Sequence, residues 1–190
     1  MEPPVTAVYD ANILYPAPLR DLFIRLAQAG MVRGKWTETI HDEWLRNVLK
    51  DKPHLSADRL ARTRDLVNEA VRDCLVTDYE ELIDSLALPD PDDRHVLAAA
   101  IRAGAEVIVT FNLSDFPPES LAHHDVEALH PDGFLVGLLD VAPDTVCATV
   151  KRQRESLRNP PKTVEELLTT LEGQGLPRTV ARLRHLADLL

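Results

Sequence analysis

Carboxylates stand immediately after two apolar, β-branched runs of this chain. Val5-Thr6-Ala7-Val8-Tyr9 stops at Asp10, with Asn12 two residues on; Ala105-Glu106-Val107-Ile108-Val109-Thr110 is followed by Asn112 and Asp115. A third acidic group, Asp90-Pro91-Asp92-Asp93, opens an apolar run that ends at Gly104. Its members differ in what they suit. Asp90, before a proline, fits a helix N-cap, a role that contributes about 1 kcal/mol. Asp92 falls on a polar face of the expected helix. Asp93, at about 100° per residue, falls in the middle of the stripe made by Val96, Leu97, Ala100 and Ile101 and therefore faces the body of the protein. For Asp10 and Asn12 an Asx turn is the local alternative.

Two carboxylates about 5 Å apart repel by roughly 3 kcal/mol at an effective dielectric of about 20. Buried ones without a Lys or Arg nearby are costly. Several of them converging on one strand edge point to a divalent cation, and an all-oxygen set without His or Cys at ligand spacing favours Mg2+ or Mn2+ over zinc. Such a site activates water and stabilises charge on a phosphodiester. Thr110 and Asn12 suit hydrogen-bonded support of the ligands, and Asn112 can orient water or a ligand. Other chemistries lack residues: there is no Gly-rich phosphate loop, Cys147 has no matching catalytic His, and Asn12 stands where a haloacid-dehalogenase-type phosphatase needs a second Asp. His123, His124 and His130 read as surface histidines; His95, next to the acidic group in sequence, reads first as a structural residue on its helix face and second as an aid to catalysis.

The elements that position these groups follow from periodicity. A strand over 5–9 is followed by a helix from Pro18 carrying Leu19, Leu22, Phe23 and Leu26, closed by Gly30. A second helix after Trp36 uses Ile40, Trp44, Leu45, Val48 and Leu49 and ends before Pro53; a third runs from the N-cap Ser56 to about Asp73. Cys74-Leu75-Val76 suits a short strand, the Asp90 group opens a helix to Ala103, and strands follow at 105–110 and 126–129. Strands alternating with helices predict a three-layer α/β/α sandwich with a central parallel sheet, which binds ligands at the carboxyl ends of its strands. Helices alone are expected over 144–158, 163–173 and 177–189, so the chain divides into an α/β body, 1–140, and a helical C-terminal extension, 141–190.

The 190 residues carry 31 acids against 21 Lys+Arg, a net charge of −10, with 45% hydrophobic residues. That is a soluble globular composition, and its sign excludes a simple basic-groove binder of nucleic acid. The charge is uneven: residues 1–140 carry −12 and residues 141–190 carry +2. No apolar stretch approaches the ~18 residues of a membrane span, and Met1-Glu2-Pro3-Pro4 has none of the marks of a secretory signal, so a cytoplasmic location without membrane contact is expected. Cys74 and Cys147 lie far apart and suggest neither a disulfide framework nor a zinc ribbon.

Four segments in this order resemble a known family. Val8-Tyr9-Asp10-Ala11-Asn12, a Glu within the second helix, Asp90 to Ala100, and Val109-Thr110-Phe111-Asn112-Leu113-Ser114-Asp115-Phe116 are similar to a PIN domain, and more narrowly to the VapC-like toxin ribonucleases of bacterial toxin–antitoxin pairs. The resemblance covers about residues 5–135. It implies an α/β/α endoribonuclease that uses Mg2+ or Mn2+ to hydrolyse RNA and leaves a 5′-phosphate. Carried over by position, the catalytic and metal-binding acids are Asp10, Glu43 (within Ile40-His41-Asp42-Glu43-Trp44), Asp93 and Asp115. The fourth place is a departure, since many PIN domains have Asp where Asn112 stands here; Asn112, Asn12, Thr110, Asp90 and Asp92 are the supporting or alternative residues. An antitoxin whose tail covers the site, and a homodimer, are implied as partners. Arg152, Arg154, Arg158 and Arg182 of the basic tail become candidates for RNA phosphates, while the apolar stripes of the same helices pack on the body or on a partner. Two rivals stay open: a housekeeping nuclease for RNA processing or DNA cleavage without an antitoxin, and a binding module of the same fold with weakened catalysis, suggested by Asn112.

Overall fold

The first apolar run forms strand β1 (Val5–Tyr9), buried at every residue, in a computed structural model that describes residues 4–190. Strands β2 (Val32–Lys35), β3 (Val107–Val109) and β4 (Glu127–Leu129) join it in one parallel sheet of order β2-β1-β3-β4. Val5 pairs with Val32, Tyr9 with Val109, and Val109 with Leu129. Bonds from Glu106 N–H to Thr6 O and from Thr110 N–H to Leu129 O carry β3's pairing across the expected 105–110 stretch. From β1 the chain moves to one side of the sheet and from β3 to the other, so the order reverses between these two central strands. Their carboxyl ends flank the crevice where open parallel sheets take ligands.

Helices α1 (Ala11–Leu14) and α2 (Ala17–Gln28) connect β1 to β2. Between β2 and β3 lie α3 (Glu38–Asp51), α4 (Ala57–Ala70), α5 (Glu80–Ile83) and α6 (Arg94–Ala103). Right-handed crossovers in opposite directions place α2 and α6 on opposite faces of the sheet. On the α2 face, Tyr9 meets Phe23 edge-on at 5.1 Å, and Phe23 stacks on Phe134 at 5.9 Å. Phe134 belongs to α8 (Pro131–Val141), which follows α7 (Pro118–Leu121) and β4. Then come α9 (Pro143–Ser156), α10 (Val164–Gly173) and α11 (Pro177–Arg184), the expected C-terminal helices. Among the described residues no helix is long and apolar enough to cross a membrane.

Several elements differ from the sequence expectation. The Asp90 group opens with a 3-10 turn, Pro91–Asp93, because the Asp90 carboxylate accepts from Asp92 N at 2.9 Å; Asp93 thereby becomes the N-cap residue of α6 rather than part of its first turn. Strand β2 escaped detection because Arg33, Gly34 and Lys35 have no strand-like composition. Helix α8 escaped because it is apolar nearly all round and contains glycine. Cys74-Leu75-Val76 contributes only one bridge, Trp36 to Leu75, and α4 ends at Ala70 rather than Asp73. Three buried groups pin α3 to α4: Asn68 Oδ1 accepts from Trp36 Nε1 and His41 Nε2, both at 2.8 Å, and His41 Nδ1 accepts from Trp44 Nε1 at 2.9 Å.

Gly34 explains why β2 contains a glycine. A Cβ at this position would lie 2.9 Å from Tyr9 Cε2, inside the contact distance of a ring held between Phe23 and Trp36. Gly34→Ala is expected to lower stability by about 1–3 kcal/mol, the usual cost of overpacking a filled core. Urea denaturation checks this; an unchanged midpoint would mean the ring can move aside.

Candidate active site

Asp10 lies at the junction of the two central strands. Its N–H donates to Val109 O at 3.1 Å, and its side chain is 4% exposed. The carboxylate accepts from Ala11 N, Asn12 Nδ2 and Thr110 Oγ1, each at 2.6 Å. Each donor comes from a different device. Ala11 opens α1, for which Asp10 is the N-cap; Asn12 sits in that same turn; Thr110 ends the β3 ladder. Asn12 is itself fixed, since its Oδ1 accepts from Phe111 N at 3.2 Å and its Nδ2 also reaches Thr110 Oγ1 at 3.0 Å. Thr110 Oγ1 accepts in turn from Asn112 N at 3.0 Å.

Glu43 arrives from α3, which begins directly after β2 because Thr37 caps it by accepting from Ile40 N at 3.1 Å. Its Oε1 accepts from His95 Nε2, 2.9 Å away on α6. Asp93 enters from the start of α6, and Asp115 from the 3-10 turn Leu113–Asp115 that follows β3. Of the four acids carried over by resemblance, Asp10, Glu43 and Asp115 thus lie within electrostatic reach of Asp93. Thr110 and Asn12 stand where support was expected. Asp90 caps its own turn, within electrostatic reach of Asp93. Asp92 is exposed, and Asn112, also exposed, meets the cluster through its backbone N–H.

The electrostatics reflect this crowding. The Asp93 carboxyl is pushed up to about 7, first by loss of hydration and then by the charges of Asp10, Asp115, Asp90 and Glu43, all acting in the same direction. Burial also raises Asp10, assisted by Glu43 and opposed by the Thr110 and Ala11 hydrogen bonds. Arg94 turns away, its Nε donating to Pro91 O at 2.9 Å. Among the described residues no three His, Cys, Asp or Glu side chains are placed closely enough to hold a cation as they stand. The donor set is open, all oxygen, and short of positive charge, which fits a hard divalent ion better than a thiol- or imidazole-bound one.

Sequence reasoning missed one contributor, Phe111, and ranked a structural role first for another, His95. His95, expected as a structural helix residue, meets Glu43; its position two residues after Asp93 was the available signal. Phe111 binds Asn12 through its backbone and carries its ring against the C-terminal region: a Cβ on Gly175 would come within 2.9 Å of Phe111 Cε1, and His130 packs edge-on at 4.9 Å. His130, expected at the surface, is half-buried and caps α8 by accepting from Asp132 N at 3.2 Å. Asp132 is buried too, accepting from Thr179 N at 2.8 Å and Arg178 N at 3.0 Å at the start of α11. Of the tail cations, Arg182 pairs with Asp140, Arg154 with Glu155 at 3.8 Å, and Arg184 with Glu165 at 2.8 Å and Glu172 at 3.0 Å. Arg152 and Arg158 are exposed and have no ion-pair partner among the described residues.

Comparison with known proteins adds independent findings. The PIN domain family profile matches residues 6–114, more than half of the chain, and the profile of the VapC50 C-terminal domain matches residues 131–185. A curated Mycobacterium tuberculosis protein with the name "Putative ribonuclease VapC50" is 44% identical over 94 residues, 50% of this chain and 55% of that protein. The chain thus spans about half the length of the curated relative it matches. No solved structure matches.

The raised Asp93 carboxyl has a definite consequence for stability. Its folded form holds a proton up to about pH 7, whereas the unfolded side chain releases it near the ordinary aspartate value of 3.8. The folded state therefore binds more protons across that interval, and stability falls as pH rises through it, with the full penalty present above pH 7. In chelator, Asp93→Asn is expected to melt several degrees above wild type at pH 8, with the gap closing towards pH 4. Thermal melts across that range check it; parallel profiles would mean that the carboxylates are already compensated.

Proposed function

The chain belongs to the PIN-domain family, and on that premise we propose that it is an endoribonuclease dependent on Mg2+ or Mn2+, acting as the toxin of a toxin–antitoxin pair. One observation carries the reading. Asp10, Glu43 and Asp115, from elements far apart in the chain, lie within electrostatic reach of Asp93 near the carboxyl ends of β1 and β3, and loss of hydration together with their charges pushes Asp93 up to about 7. These four residues would hold the cation, directly or through water. When bound, such an ion lowers the pKa of a coordinated water and neutralises charge on a phosphodiester.

The chain's own groups have separate tasks. Asp10 supplies a carboxylate whose orientation is fixed by Ala11, Asn12 and Thr110, so it does not reorganise as substrate arrives. Glu43 is held by His95, while Asp93, and Asp115 with only a 3.4 Å bond from its neighbour Ser114, are less restrained and would adjust around the ligand. A bare site of this charge repels a phosphodiester, which makes RNA binding depend on the cation. Arg152 and Arg158, free of ion pairs, are better candidates for phosphate contact than Arg154 and Arg182, which are engaged with Glu155 and Asp140. The word ribonuclease in the name of the VapC50 relative supports RNA over DNA, and its similarity supports an antitoxin as inhibiting partner. A homodimer and a cytoplasmic setting belong to the same reading, as does a 1–140 nuclease unit followed by a helical extension.

RNA cleavage with Mn2+ present and with chelator tests the proposal. Asp10→Asn is expected to lower the rate more than ~100-fold, beyond the 10–100-fold typical of residues that only support a ligand. Asp115→Ala should fall as steeply, while Asn112→Ala should retain most activity; the reverse would move the fourth ligand to Asn112. Equal rates for wild type and Asp10→Asn would overturn the catalytic assignment. RNA binding without cleavage in the wild type would favour the binding-module alternative.

A further inference from the structure

We infer that His95 is a positioning residue for Glu43, donating its Nε2–H to hold that carboxylate towards the strand-end cleft. The inference rests on the metal-dependent reading above and assigns the group that keeps one of its ligands in place.

Glu43 Oε1 lies 2.9 Å from His95 Nε2, and the His95 side chain is only 8% exposed against 29% for Glu43. A carboxylate only accepts, so Nε2 carries a hydrogen and donates it. Nδ1 is buried and has no hydrogen-bond partner. From Val96 to Ala100 every residue of α6 is buried and aliphatic. A leucine at 95 would fill the same space and leave no orphan nitrogen, so packing alone does not account for an imidazole there. The Nε2–H bond does.

The bond also answers a problem that the acid cluster creates. Glu43 and Asp10 repel each other, and Glu43 contributes to the crowding of Asp93. A half-exposed glutamate with rotamer freedom relieves that repulsion by swinging into water. His95 opposes the swing from the opening turn of the helix whose N-cap is Asp93, so two ligands from distant parts of the chain keep one geometry. The expected signature is a loss of cation affinity that depends on Glu43 being present.

Calorimetric titration of the full chain with Mn2+ tests this, alongside thermal melts. His95→Leu is expected to weaken Mn2+ binding about 10-fold or more, within the range for residues that orient a ligand. His95→Gln, whose terminal amide can present a donor to Glu43, should stay within about threefold of wild type. In a Glu43→Gln background, His95→Leu should add little, because its partner is already altered. If His95→Leu fails to fold, His95→Asn, with a side chain too short to reach, replaces it with the same expectations. Nitrogen NMR of the wild-type imidazole should show the Nε2–H tautomer. Wild-type affinity in His95→Leu overturns the assignment, as does an equal loss with and without Glu43, a His95→Gln variant as weak as His95→Leu, or the Nδ1–H tautomer. A wild-type chain that binds no Mn2+ would instead overturn the metal-dependent reading itself.

Discussion

Burying the Asp10 carboxylate at the junction of two parallel strands requires donors on every side, and much of the local architecture exists to provide them. Ala11 donates because the chain turns into α1 directly after β1. Thr110 donates because β3 ends in register beside it. Asn12 donates because Phe111 N–H holds its own amide in place. Shifting β3 by one residue would turn Thr110 to the other face of the sheet and leave a buried acid without one of its close partners. Register, the turn into α1 and the loop after β3 are therefore one coupled problem.

The acids around this centre divide by how they are held. Asp10 is fixed by hydrogen bonds and Glu43 by a ring; Asp93 and Asp115 face the cleft with less restraint. A site that is rigid on one side and adaptable on the other can accept a ligand without the whole cluster having to tolerate its own charge beforehand. Both sides bear the cost of burial: loss of hydration raises the carboxyl of Asp10 as it does that of Asp93, and at Asp93 the charges of the neighbouring acids add to it.

Strand ends were legible in the sequence because a buried parallel strand is a short apolar run, and its first polar residue marks where it leaves the sheet. Asp10, Thr110 and Asp115 were visible for that reason. Asp93 was visible through helical periodicity, although Asp90 tightens the turn and moves it to the N-cap position. Glu43 was not visible to pattern reasoning. Its partner lies 52 residues away, and periodicity reports which helix face meets the core, not which side chain meets the end of another helix. Only resemblance selected it over Glu38 and Asp42 of the same helix. Strand β2 and helix α8 were hidden by composition: tertiary contact with Tyr9 demands the glycine of β2, and burial removes the polar stripe by which an amphipathic helix is recognised.

The contact between Phe111 and the Gly175 turn joins the C-terminal helices physically to the strand ends. Phe111 is one residue with two attachments: its ring lies under the turn between α10 and α11, and its N–H holds Asn12, which holds Asp10. One aromatic residue and one amide are thus all that separate the turn between the last two long helices from the carboxylate in the centre.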